Sequence, residues 1–290
     1  MMKLFTLTLL WLSIGISIWI GTQNLAIRII LAIVAAGVTV HIITIKKRKT
    51  NKTSDKINQS KGDTDILDMQ SATRDTYNLI ASSRYNFRHR SRFQAELEQL
   101  AQRWGRGKLL NVGCAHGPDF PPFKESFELY GVDYSSEILK LAQKYADKYQ
   151  FKVDLKEADA RNLPYADDFF DFAIAVAVYH HIEDKDGRTQ ALKELYRVLK
   201  PGGEAFITVW NRWQPHHWLQ KKSFMRPWKT KDKTLYRYYY LFTFREFEQL
   251  ARQAGFEIVK SSPEARYKFP LKTFSRNICL LVRKRETAEK

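Results

Sequence analysis

Hydrophobic positions fall into two regimes along the chain. Leu4–Ile20 and Leu25–Ile45 are nearly continuous apolar runs, the second interrupted by Arg28 and His41, and no Asp or Glu occurs before Asp55. A helix rises about 1.5 Å per residue, so each run has roughly the length needed to cross a bilayer. Gly21-Thr22-Gln23-Asn24 makes a turn between them. Lys3 precedes the pair and Lys46-Lys47-Arg48-Lys49 follows it, which puts both ends on the cytoplasmic side. The expectation is a two-helix transmembrane hairpin over 1–45. A cleaved signal peptide fits less well, because of the second run and the basic stop after it. Residues 46–71 are polar and charged, and read as a flexible basic linker.

From Ala72 the spacing changes. Tyr77, Leu79 and Ile80, then Phe93, Leu97, Leu100 and Trp104, recur at helical intervals and predict helices over 72–83 and 90–104. Short apolar runs then alternate with amphipathic stretches. Strands are predicted ending at Val112, over 127–132, near 151–156, over 169–178, and at 204–210, 257–260 and 277–282. Helices are predicted over 137–148, with Ser135 or Ser136 as cap, over 188–199, which Pro201-Gly202-Gly203 breaks, and from Thr243-Phe244-Arg245-Glu246 to Ala254. Such alternation predicts an α/β domain over 72–285, doubly wound around a mostly parallel sheet in the Rossmann-like manner, with 286–290 as a tail.

Charge and composition narrow the partners. The net charge is +17, which points to nucleic acid or an acidic membrane surface. The two cysteines, Cys114 and Cys279, give no disulfide framework, and no spacing suggests a metal site. Residues 211–242 form a basic, aromatic insertion. Nine basic residues lie between Trp210 and Arg245 inclusive of the latter, with Asp232 the only acid, and Trp210, Trp213, Trp218 and Trp228 are four of the seven tryptophans. Basic residues meet phosphates and rings stack on unpaired bases. A membrane interface or a satellite core would use the same residues. A second basic, aromatic stretch, Arg84 to Arg92, reads either as an RNA contact or as a solvated turn.

The candidate chemistry begins where the first strand runs into Gly113-Cys114-Ala115-His116-Gly117. Glycines at such a turn let backbone approach a ligand closely. Asp133 follows Gly113 by twenty positions, at the end of the second strand, where an acid can accept from ribose hydroxyls. Asp159-Ala160 ends the third strand, placed for a purine amino group or simply an exposed loop. A nicotinamide dinucleotide fits poorly, since Ala115 and Pro118 stand where that fingerprint needs glycines.

These motifs, with Phe170-Asp171-Phe172 and Leu199-Lys200-Pro201-Gly202-Gly203, resemble the class I S-adenosylmethionine-dependent methyltransferases over residues 75 to 283. The resemblance implies a seven-stranded sheet and S-adenosylmethionine as cofactor. It implies a cofactor set of Asn111, Gly113, Cys114, Ala115, His116 and Gly117 around the methionine part, Asp133 and Tyr134 at the ribose, Asp159 and Ala160 at the adenine, and Val178. The family usually has Asp or Glu at Asn111 and Gly at Ala115. Tyr179-His180-His181, Val209-Trp210 and Leu235 to Phe242 are similar to the branch that methylates 5-carboxymethyluridine at the tRNA wobble position. That implies tRNA, through its anticodon loop, as partner, and a small zinc-binding activator that covers an apolar sheet edge. A carboxylate target is already ionised at neutral pH, so Arg237 is the candidate to hold it, with His180 or His181 lining the pocket. With the hairpin, this gives a multi-pass membrane protein whose catalytic domain is cytoplasmic. The alternatives are a membrane-bound methyltransferase acting on a lipid, quinone or other small molecule, and an RNA-binding module that keeps the fold without the reaction.

Overall fold

The runs at 109–112, 173–175, 205–209 and 278–282 become strand segments buried on both faces. The computed structural model describes residues 73–82, 85, 89–229 and 234–286. Among them, the strands are β1 (Gly107–Val112), β2 (Phe127–Asp133), β3 (Asp154–Glu157), β4 (Phe170–Val176), β5 (Leu199–Trp210), β6 (Ser223–Lys229), β7 (Thr234–Tyr240), β8 (Glu257–Pro263) and β9 (Asn277–Arg283). The helices are α1 (73–82), α2 (Gln94–Trp104), α3 (Ser136–Tyr149), α4 (Lys185–Val198) and α5 (Phe244–Gln253). Seven strands join in the order β3-β2-β1-β4-β5-β9-β8, with β9 antiparallel to both neighbours, and β6 and β7 form a separate antiparallel hairpin. The expected doubly wound sheet is present.

Successive residues of a strand point to opposite faces. Leu109 accordingly packs with Leu97, Trp104, Phe123 and Tyr145, and Leu110 with Leu192, Leu195, Phe247 and Phe256. Two apolar layers therefore clamp β1, which fits a strand that reads as an unbroken apolar run. Local chemistry sets the helix starts. The Ser135 hydroxyl accepts from Ile138 N at 3.2 Å, and Thr243 and Glu246 form a reciprocal capping box. Helix α4 starts at Lys185, earlier than its apolar periodicity predicts, because the Asp184 carboxylate caps it on Gly187 N. Strand β5 runs through Pro201-Gly202-Gly203; a register shift opposite Phe170 and Phe172 absorbs the proline, which has no N–H to give the ladder.

The membrane expectation needs correction. The hairpin at 4–45 and the linker at 46–71 lie outside the described residues. Among the described residues no helix is long and apolar enough to cross a membrane. The longest, α3 and α4, have 14 residues each. At about 1.5 Å per residue they fall short of a hydrocarbon core of about 30 Å. The membrane partner and the multi-pass localisation are therefore set aside.

At the opposite end of the sheet from the glycine loop, one buried carboxylate ties three elements. Glu204 accepts from Arg103 at 2.8 and 2.9 Å, from Trp104 Nε1 at 2.8 Å and from Arg283 at 2.8 Å. Burial pushes its carboxyl pKa up from 4.5, but those hydrogen bonds outweigh burial and bring it down to about 2. A carboxylate held below its unfolded value stabilises the fold above that value and loses the contribution as pH falls. Glu204→Gln should therefore destabilise the protein by about 2 kcal/mol near neutral pH. In thermal melts the gap to wild type should close between about pH 4.5 and pH 2.

Candidate functional site

The strand order reverses between β1 and β4, and the carboxyl ends of β1, β2 and β4 open into a cavity of about 560 Å³. Crevices at such a switch point are where open α/β sheets take ligands. The turns after β1 and β4 touch there. Gly113 has φ +64°, and a Cβ on it would lie 2.5 Å from Val178 Cγ2. The glycine is needed for backbone conformation and for this close approach. Ala115 and Ala177 also adopt positive φ, at 49° and 61°, each in a turn beside the cavity. The family's glycine at position 115 thus falls where the backbone is left-handed, a conformation costing an alanine about 1 kcal/mol.

Asp133 fixes the loop. Its carboxylate accepts from Ala115 N at 2.9 Å and from Ser135 N at 3.1 Å, and it borders the cavity beside Tyr134. Asp159 and Ala160 line the same space, but the Asp159 carboxylate is gripped by the Arg161 guanidinium and accepts Arg161 N at 2.8 Å. Its oxygens keep further lone pairs for a ligand donor. Val112, Val132, Ile138 and Ile182 also line the cavity. Apolar side chains together with acids suit a nucleoside, whose base buries and whose hydroxyls donate.

The expected cofactor set divides. Gly113, Ala115, His116, Asp133, Tyr134, Asp159, Ala160 and Val178 border the cavity; Asn111, Cys114 and Gly117 stand behind its wall. Asn111 is fully buried on β1, and neither of its amide atoms has a hydrogen-bond partner among the described residues. Cys114 is sealed against Gly131, and burial pushes its thiol well above the ordinary range, which leaves it unreactive. Gly117 abuts Tyr145 and Phe120.

Arg237, His180 and His181 all reach the cavity. His180 is buried and stacks on Trp210 and Tyr239 at centroid distances of 5.4 and 5.5 Å. His181 is held through Nδ1 by Tyr238 O at 2.9 Å and through Nε2 by the Tyr77 hydroxyl at 3.1 Å. The Arg237 guanidinium lies over Trp228 at 4.8 Å. Half of the tryptophan-rich stretch is therefore wall: Trp210 and Trp228 line the cavity, while Trp213 and Trp218 are 44% and 49% exposed. Of the Arg84–Arg92 stretch, residues 84 and 86–88 lie outside the described residues; Tyr85 is buried and Arg92 reaches the cavity.

Several lining residues are not among those the sequence assigns to the cofactor or the acceptor carboxylate. Helix α1 contributes Thr73 and Tyr77. Its Thr73 hydroxyl donates to Glu183 at 3.4 Å, and its Asn78 accepts from the Ser135 hydroxyl. Burial raises the Glu183 carboxyl pKa above its ordinary value. The hairpin adds Arg226 and Trp228. Its signal was legible: Phe224, Arg226 and Trp228, then Leu235, Arg237 and Tyr239, alternate at period two around Thr230-Lys231-Asp232-Lys233. Pro227 hid it, since a proline argues against a strand.

Residues 110–207 match the family model described as a methyltransferase domain. The tRNA (carboxymethyluridine(34)-5-O)-methyltransferase of Arabidopsis thaliana is 40% identical over 102 residues, covering 35% of this chain and 24% of that protein. Among solved structures, an S-adenosylmethionine-dependent methyltransferase from Clostridium acetobutylicum has a TM-score of 0.56 at 15% identity, covering 67% of this chain and 91% of its own. A Haloferax volcanii methyltransferase in complex with the Trm112 methyltransferase activator has a TM-score of 0.50 at 15% identity, covering 72% and 98%. The fold is that of the class I methyltransferases, and residues 110–207 carry the match to a methyltransferase domain. Within that class its relatives include tRNA wobble-uridine methyltransferases, and this chain spans about a quarter of the length of the first of them.

The close approach after β1 gives a direct test. In Gly113→Ala the added methyl meets Val178 at 2.5 Å in a left-handed backbone, which should cost about 2–4 kcal/mol of stability. Ala115→Gly should stay within about 1 kcal/mol of wild type, since relieved strain offsets added chain entropy. Chemical denaturation of the two variants measures both.

Proposed function

We propose that this chain methylates the carboxylate of 5-carboxymethyluridine at the wobble position of tRNA. The observation that carries the reading is Arg237. Its side chain is only 7% exposed, it borders the cavity, and no carboxylate pairs with it among the described residues. Its Nε has no hydrogen-bond partner there either. A buried cation is costly unless an anion meets it, and a guanidinium fork matches a carboxylate edge to edge.

The residues present fit the cofactor by the chemistry of their donors. Asp133 is placed to accept from ribose hydroxyls, and Val112, Val132, Ile138 and Ile182 to bury a base, with Asp159 at its edge. S-adenosylmethionine, when bound, supplies a methyl group activated by a positively charged sulfur. The acceptor is ionised at neutral pH, so this chain has to aim it and keep water away rather than take a proton from it. Arg237 aims the carboxylate. Helix α1 and the β6–β7 hairpin, which both contribute to the cavity wall, restrict water. His181, held at both ring nitrogens, and His180, packed against the Trp210 and Tyr239 rings, act as walls rather than bases.

The Arabidopsis relative supports the wobble-uridine target, and the exposed Trp213 and Trp218 beside Arg212, Lys221 and Lys222 support an RNA partner. The neighbour bound to its activator raises the same partner for this chain. An apolar edge for it is not evident at β3, whose residues Asp154, Leu155, Lys156 and Glu157 are half-buried or exposed. The proposal does not require that subunit.

With a methyl-labelled donor and tRNA carrying 5-carboxymethyluridine, the label should enter the RNA; its absence there overturns the reading. Arg237→Ala should lower kcat/KM by about 100-fold, and Arg237→Lys by less, if the cation holds a buried carboxylate. The rate should be level between about pH 7 and pH 9, where a carboxylate acceptor does not change charge.

A further inference from the structure

The hairpin sets two arginines face to face. Its register pairs Arg226 directly with Arg237, so the two side chains share one face, and both border the cavity. Like charges opposed in this way are destabilising. No carboxylate within the described residues relieves them, because neither guanidinium has an ion pair there. The pair differs in depth: Arg237 is buried, whereas Arg226 is exposed at the rim. Both are fixed by rings. Arg226 lies 5.2 Å from the Trp210 centroid and 6.0 Å from Tyr239, and Arg237 lies 4.8 Å from Trp228 and 5.5 Å from Tyr239. Stacking fixes the plane of a guanidinium and leaves its N–H edge available for a planar or tetrahedral anion.

We infer that Arg226 is a second anion site, which takes a phosphate of the acceptor nucleotide while Arg237 takes its carboxylate. This rests on the proposed acceptor. One carboxylate has two oxygens, and a single guanidinium fork already satisfies both. A second cation a strand away therefore calls for a second anion on the same ligand. In carboxymethyluridine within a chain, that anion is the backbone phosphate. The depths agree: the small carboxylate goes inward, and the phosphate, which continues into the rest of the polynucleotide, stays at the rim. Trp228, beside Arg237 on the same face, offers a ring against which the base can lie. The site thus recognises a nucleotide rather than a nucleoside, before any wider RNA contact is made.

Calorimetry on the full chain with 5-carboxymethyluridine and with its 5′- and 3′-monophosphates tests this. Wild type should bind at least one monophosphate about tenfold or more tighter than the nucleoside. Arg226→Ala should bring that ratio to about one, and Arg226→Lys should keep part of it, because a point charge remains without the fork. Arg237→Ala should weaken nucleoside and nucleotide together and preserve the ratio. Equal affinity of wild type for nucleoside and monophosphates overturns the Arg226 site, and so does a ratio that survives Arg226→Ala. Uridine monophosphate binding as tightly as its carboxymethyl counterpart keeps the phosphate site but removes the carboxylate reading. Binding of none of these ligands overturns both.

Discussion

The rest of the structure depends on how closely the chain turns at the ends of β1 and β4. These strands are neighbours in the sheet, but the chain leaves β1 toward β2 and reaches β5 from β4, so their ends face a common crevice. At its edge Gly113 has no side chain, which lets Val178 seat against the backbone. Asp133, from the next strand over, then locks the loop through Ala115 N. Parallel pairing, a left-handed turn and one carboxylate produce a rigid rim without any ligand. The polar groups that face the cavity are held before anything enters, which is what preorganised recognition needs.

The same logic divides the domain into two ends with different tasks. At the end away from the cavity, Glu204 gathers Arg103, Trp104 and Arg283 into a network in which each charge has a partner. At the cavity end, Arg226 and Arg237 face each other without one among the described residues. Charges that only hold a fold are normally neutralised within it. Charges left unneutralised beside a cavity mark what the cavity takes. The hairpin that carries them is separate from the seven-stranded sheet, so the proposed acceptor site and the proposed cofactor site draw on different elements.

Much of this was legible in the chain. Apolar runs gave the strands, Ser135 and Thr243 gave helix starts, and the glycine loop with Asp133 gave the crevice, because each is a local requirement with a local signature. What stayed hidden was orientation and company. Asn111 and Cys114 sit in the right motif but not on the cavity wall: Asn111 is on the other side of β1 from Val112, and Cys114, in the turn after it, is buried against Gly131. Asp159 was read as a free acid, yet Arg161, two residues on, grips it. The hairpin was masked by Pro227, and Thr73 and Glu183 meet across 110 residues of sequence, a separation no local pattern reports. The apolar N-terminal runs are the longest in the chain, and they lie outside the described residues, among which no helix has membrane-spanning length.

Helix α1 carries one more consequence. It touches the loop after β2 through Asn78 and Ser135, and the segment after β4 through Tyr77 with His181 and Thr73 with Glu183. It therefore bridges both sides of the crevice with a few polar contacts. A ligand that fills the space between those sides and favours the docked helix is, by linkage, favoured by it in return. Ligand residence and helix docking then become one equilibrium.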